Sequence, residues 1–153
     1  MRRFRFSLQK VLELRKHHEQ EAKTELGRAI GILTRIENNI KENAAKHSRA
    51  AEERFLGINA AEKTGAGGAA SMLAWDGYIL RLEQEARRLE EEAAEAEELV
   101  EEKRKLYTEA SRDLKVMEKL KEKREAEYRK EMFAAETRER DDRKQQVPAG
   151  GEQ

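Results

Sequence analysis

The chain has 153 residues, of which 32 are Lys or Arg and 32 are Asp or Glu, with no Cys, one Pro, 5% aromatic and 37% hydrophobic residues. That composition belongs to long helices, coiled coils or charged disorder and excludes sandwiches, barrels and doubly wound sheets; the lack of Cys removes disulfide frameworks, thiolate metal sites and cysteine nucleophiles, and fits a reducing compartment. A formal net charge of zero argues against a dedicated nucleic-acid binder, whose footprint is a net basic domain.

The N-terminus is basic, with Arg2, Arg3 and Arg5, but Lys10, Glu13 and Arg15 follow where a signal peptide needs an unbroken apolar stretch. No apolar run approaches the ~20 residues that span a bilayer, so the expected location is cytoplasmic. A first helix is predicted over about residues 7–60, capped by Ser7, with Phe6 and Val11 placed as a hydrophobic staple. Its apolar stripe steps by three and four through Ala22, Leu26, Ala29, Leu33, Ile36 and Ile40. Phe4, Leu8, Val11 and Leu12 lead in, and Ala51, Phe55 and Ile58 lead out; Arg15, Glu19, Asn43 and His47 interrupt it.

Gly65, Gly67 and Gly68 then break an otherwise helix-favouring sequence, which predicts a bend over about residues 64–71. A second helix is predicted over about residues 72–144, with Ser71 placed before it as a cap. Met72, Trp75, Ile79, Leu82, Ala86, Leu89, Ala93, Ala96, Val100, Lys103, Tyr107, Ala110, Leu114, Met117, Lys121, Arg124 and Tyr128 hold one heptad seam without a slip. Residues 147–153, containing the one Pro, read as a structureless tail. Gly77, inside the second helix, either permits a close approach or weakens the helix.

Residues 7–58 and 72–135 give arms of about 78 and 96 Å at ~1.5 Å per residue. Arms of similar length on either side of a glycine break fold back most simply as an all-α, long antiparallel two-helix coiled-coil hairpin, one domain over residues 1–146. Facing residue numbers should then sum to about 132, setting Ile36 near Ala96, Ile40 near Ala93, Leu26 near Tyr107 and Phe4 near Tyr128. A parallel dimer of unbent chains would carry the glycines in mid-helix at about 1 kcal/mol each.

Little in the sequence carries chemistry. His17 and His18 leave a helix in different directions and cannot chelate one ion, and His17 with Glu21 offers only two ligands. A two-helix seam has no concave, desolvated site in which a carboxylate becomes a general acid or base. The glycine cluster lacks the Gly-Lys-Ser/Thr ending of a phosphate loop. No catalytic residue, metal site or cofactor is expected.

Charge segregation is more informative. Residues 90–102 hold eight glutamates and no base, residues 2–16 hold six Lys/Arg and one Glu, and residues 115–130 hold seven Lys/Arg and four Glu. Antiparallel folding brings the two basic segments together as an electropositive end suited to an acidic partner. Near the bend, Phe55, Ile58, Trp75 and Tyr78 gather bulk of the kind interfaces favour; Trp75 and Ile79 lie on the seam, while Leu73 and Tyr78 point away from it and are contact candidates.

The order Phe4, Phe6, Leu8, Val11, Leu12, Arg15, then Glu19, Ala22 and Leu26 resembles the N-terminal signature of the flagellar export protein FliJ family. A glycine-marked bend, the run Trp75, Tyr78, Ile79, Leu82, and the late run Leu106, Ala110, Lys115, Glu118, Leu120, Glu122 extend the resemblance over about 140 residues. The resemblance implies a non-enzymatic component of the flagellar type III protein export apparatus, membrane-associated only through its partners and built like the axle helices of rotary ATPases. Its implied partners are the hexameric flagellar export ATPase, whose ring it enters and whose assembly or activity it promotes, the cytoplasmic domain of the export gate, and export chaperones. On this reading Arg2, Arg3, Phe4, Arg5, Lys119, Lys121, Lys123 and Arg124 are the candidate ATPase contacts. Leu73, Tyr78, Leu82 and Leu89 are the candidate export-gate contacts, although the heptad seam itself turns Leu82 and Leu89 inward.

A different class of reading is a structural coiled-coil spacer or a prefoldin-like holdase. Prefoldin arms need a body of β-hairpins, and the bend region has no alternating β-branched run.

Overall fold

A computed structural model describes residues 2–64 and 68–147. The described residues form two helices, α1 (Gln9–Thr64) and α2 (Gly68–Gln146), paired as an all-α antiparallel hairpin, with no strand among them. Gly65, Ala66 and Gly67 of the predicted bend, and residues 148–153 of the predicted tail, lie outside the described residues. The chain divides into two compact units, one of Met1–Glu21 with Tyr107–Gln153 and one of Ala22–Leu106.

Both helix starts differ from expectation. α1 begins at Gln9, two residues after the predicted cap: the Leu12 amide donates to the Leu8 carbonyl at 2.9 Å, and the Gln9 amide reaches back to the Phe6 carbonyl at 3.1 Å. Leu8 therefore stands in the cap position, and the Ser7 hydroxyl is used elsewhere, accepting from Arg124 Nη1 at 3.0 Å. α2 begins at Gly68, so Ser71 lies inside its first turn instead of before it. The reason is local propensity, since Ala69 and Ala70 are the best helix formers and a single Gly at the start costs little.

In the unit of Met1–Glu21 and Tyr107–Gln153, Phe6, Leu12 and Leu114 form a buried cluster, with Phe4, Leu8, Met117 and Leu120 packed against it. Leu12 is 2% exposed, the most enclosed large side chain of the described residues. Arg15 bonds Asp113 at 3.0 Å, and the Tyr107 hydroxyl reaches Glu19 at 3.5 Å. Those pairs sum to 128 and 126, and Phe4 with Tyr128 sums to 132, so the expected register holds to within about two helical turns. Residues 133–147 of α2 are exposed at every position, because no part of residues 2–21 lies against them.

In the unit of Ala22–Leu106, the core is Ala29, Ala50, Leu82, Leu89, Ala96 and Val100, with Asn43 buried among them. Lys103 pairs with Glu25 at 4.0 Å, His47 with Glu83 at 3.4 Å and Arg54 with Asp76 at 2.6 Å, again summing to 128 or 130. Every seam position predicted from Met72 to Tyr128 is buried or half-buried in its own unit except Arg124. The end of the α1 stripe is corrected. Ala51 is exposed and Phe55 is 62% exposed, and the seam instead continues by strict steps of three and four through Asn43, His47, Ala50, Arg54 and Ile58. Heptad phase outweighs side-chain bulk here, because slipping the stripe by one position would rotate it about 100° from its partner.

Candidate partner-binding surfaces

Residues 2–6 are not helical, and their side chains alternate between exposed and enclosed: Arg3 and Arg5 are exposed, Phe4 is half-buried and Phe6 is 8% exposed. A period of two is what an extended segment laid on a surface produces. This strap crosses α2 and is fastened at several points. The Phe4 and Tyr128 rings lie 5.5 Å apart at 45°, the Tyr128 hydroxyl donates to the Arg2 carbonyl, and Arg124 sits 5.7 Å from the centre of the Phe6 ring while donating to Ser7.

The strap and α2 enclose a groove lined by Arg3, Phe4, Arg5, Phe6, Gln9, Lys121 and Glu125. Its floor is aromatic and its rim carries three cations, with Glu125 already bound to Arg129 at 3.1 Å. Of the candidate ATPase contacts, Arg2, Arg3, Arg5, Lys119, Lys123 and Arg124 are exposed, and Phe4 and Lys121 are half-buried. All eight fall in this one unit. The alternation of Arg and Phe over residues 2–6 is the signal that sequence reasoning passed over when it treated Phe4 as a lead-in to a helical stripe.

The second candidate surface lies in the other unit. Leu73 is 73% exposed; Tyr78 is half-buried, edge-on to Trp75 with ring centres 6.1 Å apart, and both rings line a shallow groove with Lys46, Arg49, Ala50 and Glu53. Leu82 and Leu89, which the resemblance assigns to the gate-binding face, are 8% and 4% exposed within the seam, so a partner reaches them only where the seam opens. Phe55 and Leu56, at 62% and 57% exposed, are apolar surface; the sequence marks Phe55 as interface-type bulk near the bend but also sets it on the stripe, and it does not mark Leu56. Asn39 and Asn43 line a neighbouring groove with Glu42, Lys46, Glu85 and Arg88.

Titratable groups in these surfaces are mostly solvated. The hydrogen bond and charge of Glu85 raise the Arg88 pKa above its ordinary value, with Glu92 adding to the effect, so this guanidinium stays charged. His17 pairs with Glu21 at 2.9 Å along α1. Among the described residues no group of three or more His, Cys, Asp or Glu is placed to hold a metal ion, and no helix is long and apolar enough to cross a membrane.

The family described as flagellar FliJ protein matches residues 4–152, nearly the whole chain. No curated protein and no solved structure matches it.

Proposed function

The chain belongs to the flagellar FliJ family and is thereby a component of the flagellar export apparatus, and from that premise we propose that it docks its basic terminal unit into the ring of the hexameric export ATPase. The observation that carries this reading is that Arg2, Arg3, Arg5, Lys119, Lys123 and Arg124, all exposed, fall in one unit, where Arg3 and Arg5 line an aromatic groove with Lys121. Cations held on a fastened strap lose little further freedom on binding, and clustered charge speeds the encounter with an acidic partner. Docking there promotes assembly or activity of the ring. No step of catalysis is assigned to this chain.

The surface with Leu73 and Tyr78 serves the cytoplasmic domain of the export gate, and export chaperones are further partners of the same molecule. A Tyr beside a Trp, ringed by Lys46, Arg49 and Glu53, has the composition of an interface anchor. Leu82 and Leu89 support that surface from within the seam.

The two assignments separate in one experiment. Reversing charge in Arg2→Glu/Arg3→Glu/Arg5→Glu should weaken binding to the ATPase at least ~10-fold in a pull-down titration and leave gate binding intact, while Tyr78→Ala does the opposite. Unchanged ATPase affinity in the triple variant, with helicity preserved by circular dichroism, rejects the docking assignment. Equal loss of both partners in either variant indicates unfolding of the hairpin.

A further inference from the structure

We propose that the aromatic groove beneath the N-terminal strap of one copy takes the acidic face of α2 from a second copy, with Leu99 as the side chain that enters it. This goes beyond the docking to the ATPase and does not rest on it.

The groove supplies an apolar floor, Phe4 and Phe6, and a cationic rim, Arg3, Arg5 and Lys121. Its one acid, Glu125, is held by Arg129. A matching ligand is therefore an acidic segment bearing one projecting apolar side chain, and such a segment occurs in the chain itself. Residues 90–102 contain eight glutamates without a Lys or Arg, and all eight are exposed. Only two have an ion-pair partner among the described residues, Glu92 with Arg88 at 3.9 Å and Glu101 with Arg104 at 3.8 Å. The other six have no ion-pair partner within 4 Å among the described residues.

Leu99 projects from this segment at 36% exposed and Leu106 at 51%, seven residues further along. With Glu95 and Glu102 they make one stripe at steps of four, three and four, in which two leucines alternate with two glutamates and Leu99 lies between them. The quantities of charge also match. Residues 2–16 carry six Lys/Arg and one Glu and residues 115–130 carry seven and four, an excess of eight cations against the eight glutamates of residues 90–102. Taken whole, the unit of Met1–Glu21 and Tyr107–Gln153 holds 18 Lys/Arg against 15 Asp/Glu and the unit of Ala22–Leu106 holds 14 against 17, so the two carry opposite net charge and copies attract wherever salt does not screen them. The partner that best fits the groove's chemistry is thus a second copy.

The contact is heterologous, since the surface offered differs from the surface received. Association should accordingly grow with concentration. The test is sedimentation velocity on the purified full chain across protein concentration, at about 20 mM and about 300 mM salt, where the screening length falls severalfold. Expected is a rise in mass above the 17.7 kDa monomer at low salt that disappears at high salt. Arg3→Glu/Arg5→Glu and Glu95→Lys/Glu102→Lys should each require at least ~10-fold more protein to associate, and an equimolar mixture of the two should associate again. All four residues are exposed, so neither variant threatens the seam, and circular dichroism checks it. A monomer at every concentration in low salt overturns the proposal, as does association that survives the arginine reversal or a mixture that fails to recover. Because no ATPase is present, any of these outcomes leaves the docking assignment untouched.

Discussion

A Cβ added at Gly77 would meet nothing within 4 Å, and the same is true at Gly27, Gly31 and Gly57. Of the two roles the sequence left open for Gly77, close approach is therefore removed. What remains is the cost of glycine in a helix interior, about 0.5–1 kcal/mol relative to Ala through lost backbone entropy. Gly77→Ala should stabilise the hairpin by about that amount in urea denaturation, with the slope of the transition unchanged. A loss of stability would mean that the helix is distorted at this point. Asn43 poses the reverse question at the same scale: its heptad phase was legible, yet a polar side chain 8% exposed among Leu82 and Leu89 reads from sequence as an interruption. It stays in the seam because register binds the whole stripe together, and it lines a groove with Leu82 and Leu89.

At the scale of elements, the strap is a different object from the helix it precedes. Phe6 is 8% exposed and belongs to the cluster with Leu12 and Leu114, whereas Phe55 is 62% exposed. Phe6→Ala should cost about 3 kcal/mol, the low end for emptying a core aromatic site. Phe55→Ala should stay within about 0.5 kcal/mol, as surface changes do. Chemical denaturation of the two variants side by side decides it, and similar losses would contradict the observed phase of α1. The α2 stripe was readable because its heptads run from Met72 to Tyr128 without a slip, and one periodic signal then sets every predicted position but Arg124 inward. The α1 exit was readable only at Ile58, because Ala51 and Phe55 imitate a stripe while the true one passes through Ala50 and Arg54, the latter a residue whose charge disguises it. The strap escaped for another reason: four residues at period two are too short a signal to stand out before a helix predicted to begin at Ser7. Burial cannot be read from a charge cluster or a family resemblance, and it encloses Leu82 and Leu89, two of the candidate contacts, within the seam.

For the molecule as a whole, a net charge of zero conceals strong local imbalance. Residues 2–16 lie against 115–130 within one unit, both with excess positive charge, and the other unit contains the run of eight glutamates. Against this repulsion stand ion pairs such as Arg15 with Asp113 and Arg129 with Glu125, all with partners substantially exposed to water. Exposed pairs contribute ~0–1 kcal/mol each, and those between neighbours on one helix about 0.3–0.5. Like charges at similar spacing oppose folding by comparable amounts, and the terminal unit carries 18 Lys/Arg against 15 Asp/Glu, so screening should relieve its net repulsion. Raising salt from about 20 to about 300 mM should therefore increase stability, by on the order of 1 kcal/mol, in thermal denaturation of the protein kept dilute enough to be monomeric. A fall in Tm over that range would mean that the ion pairs dominate, and the excess positive charge of the terminal unit would then be no obstacle to folding for a docked partner to relieve. A rise has the opposite meaning: an acidic partner seated against that unit would do what salt does, stabilising the folded chain as it binds.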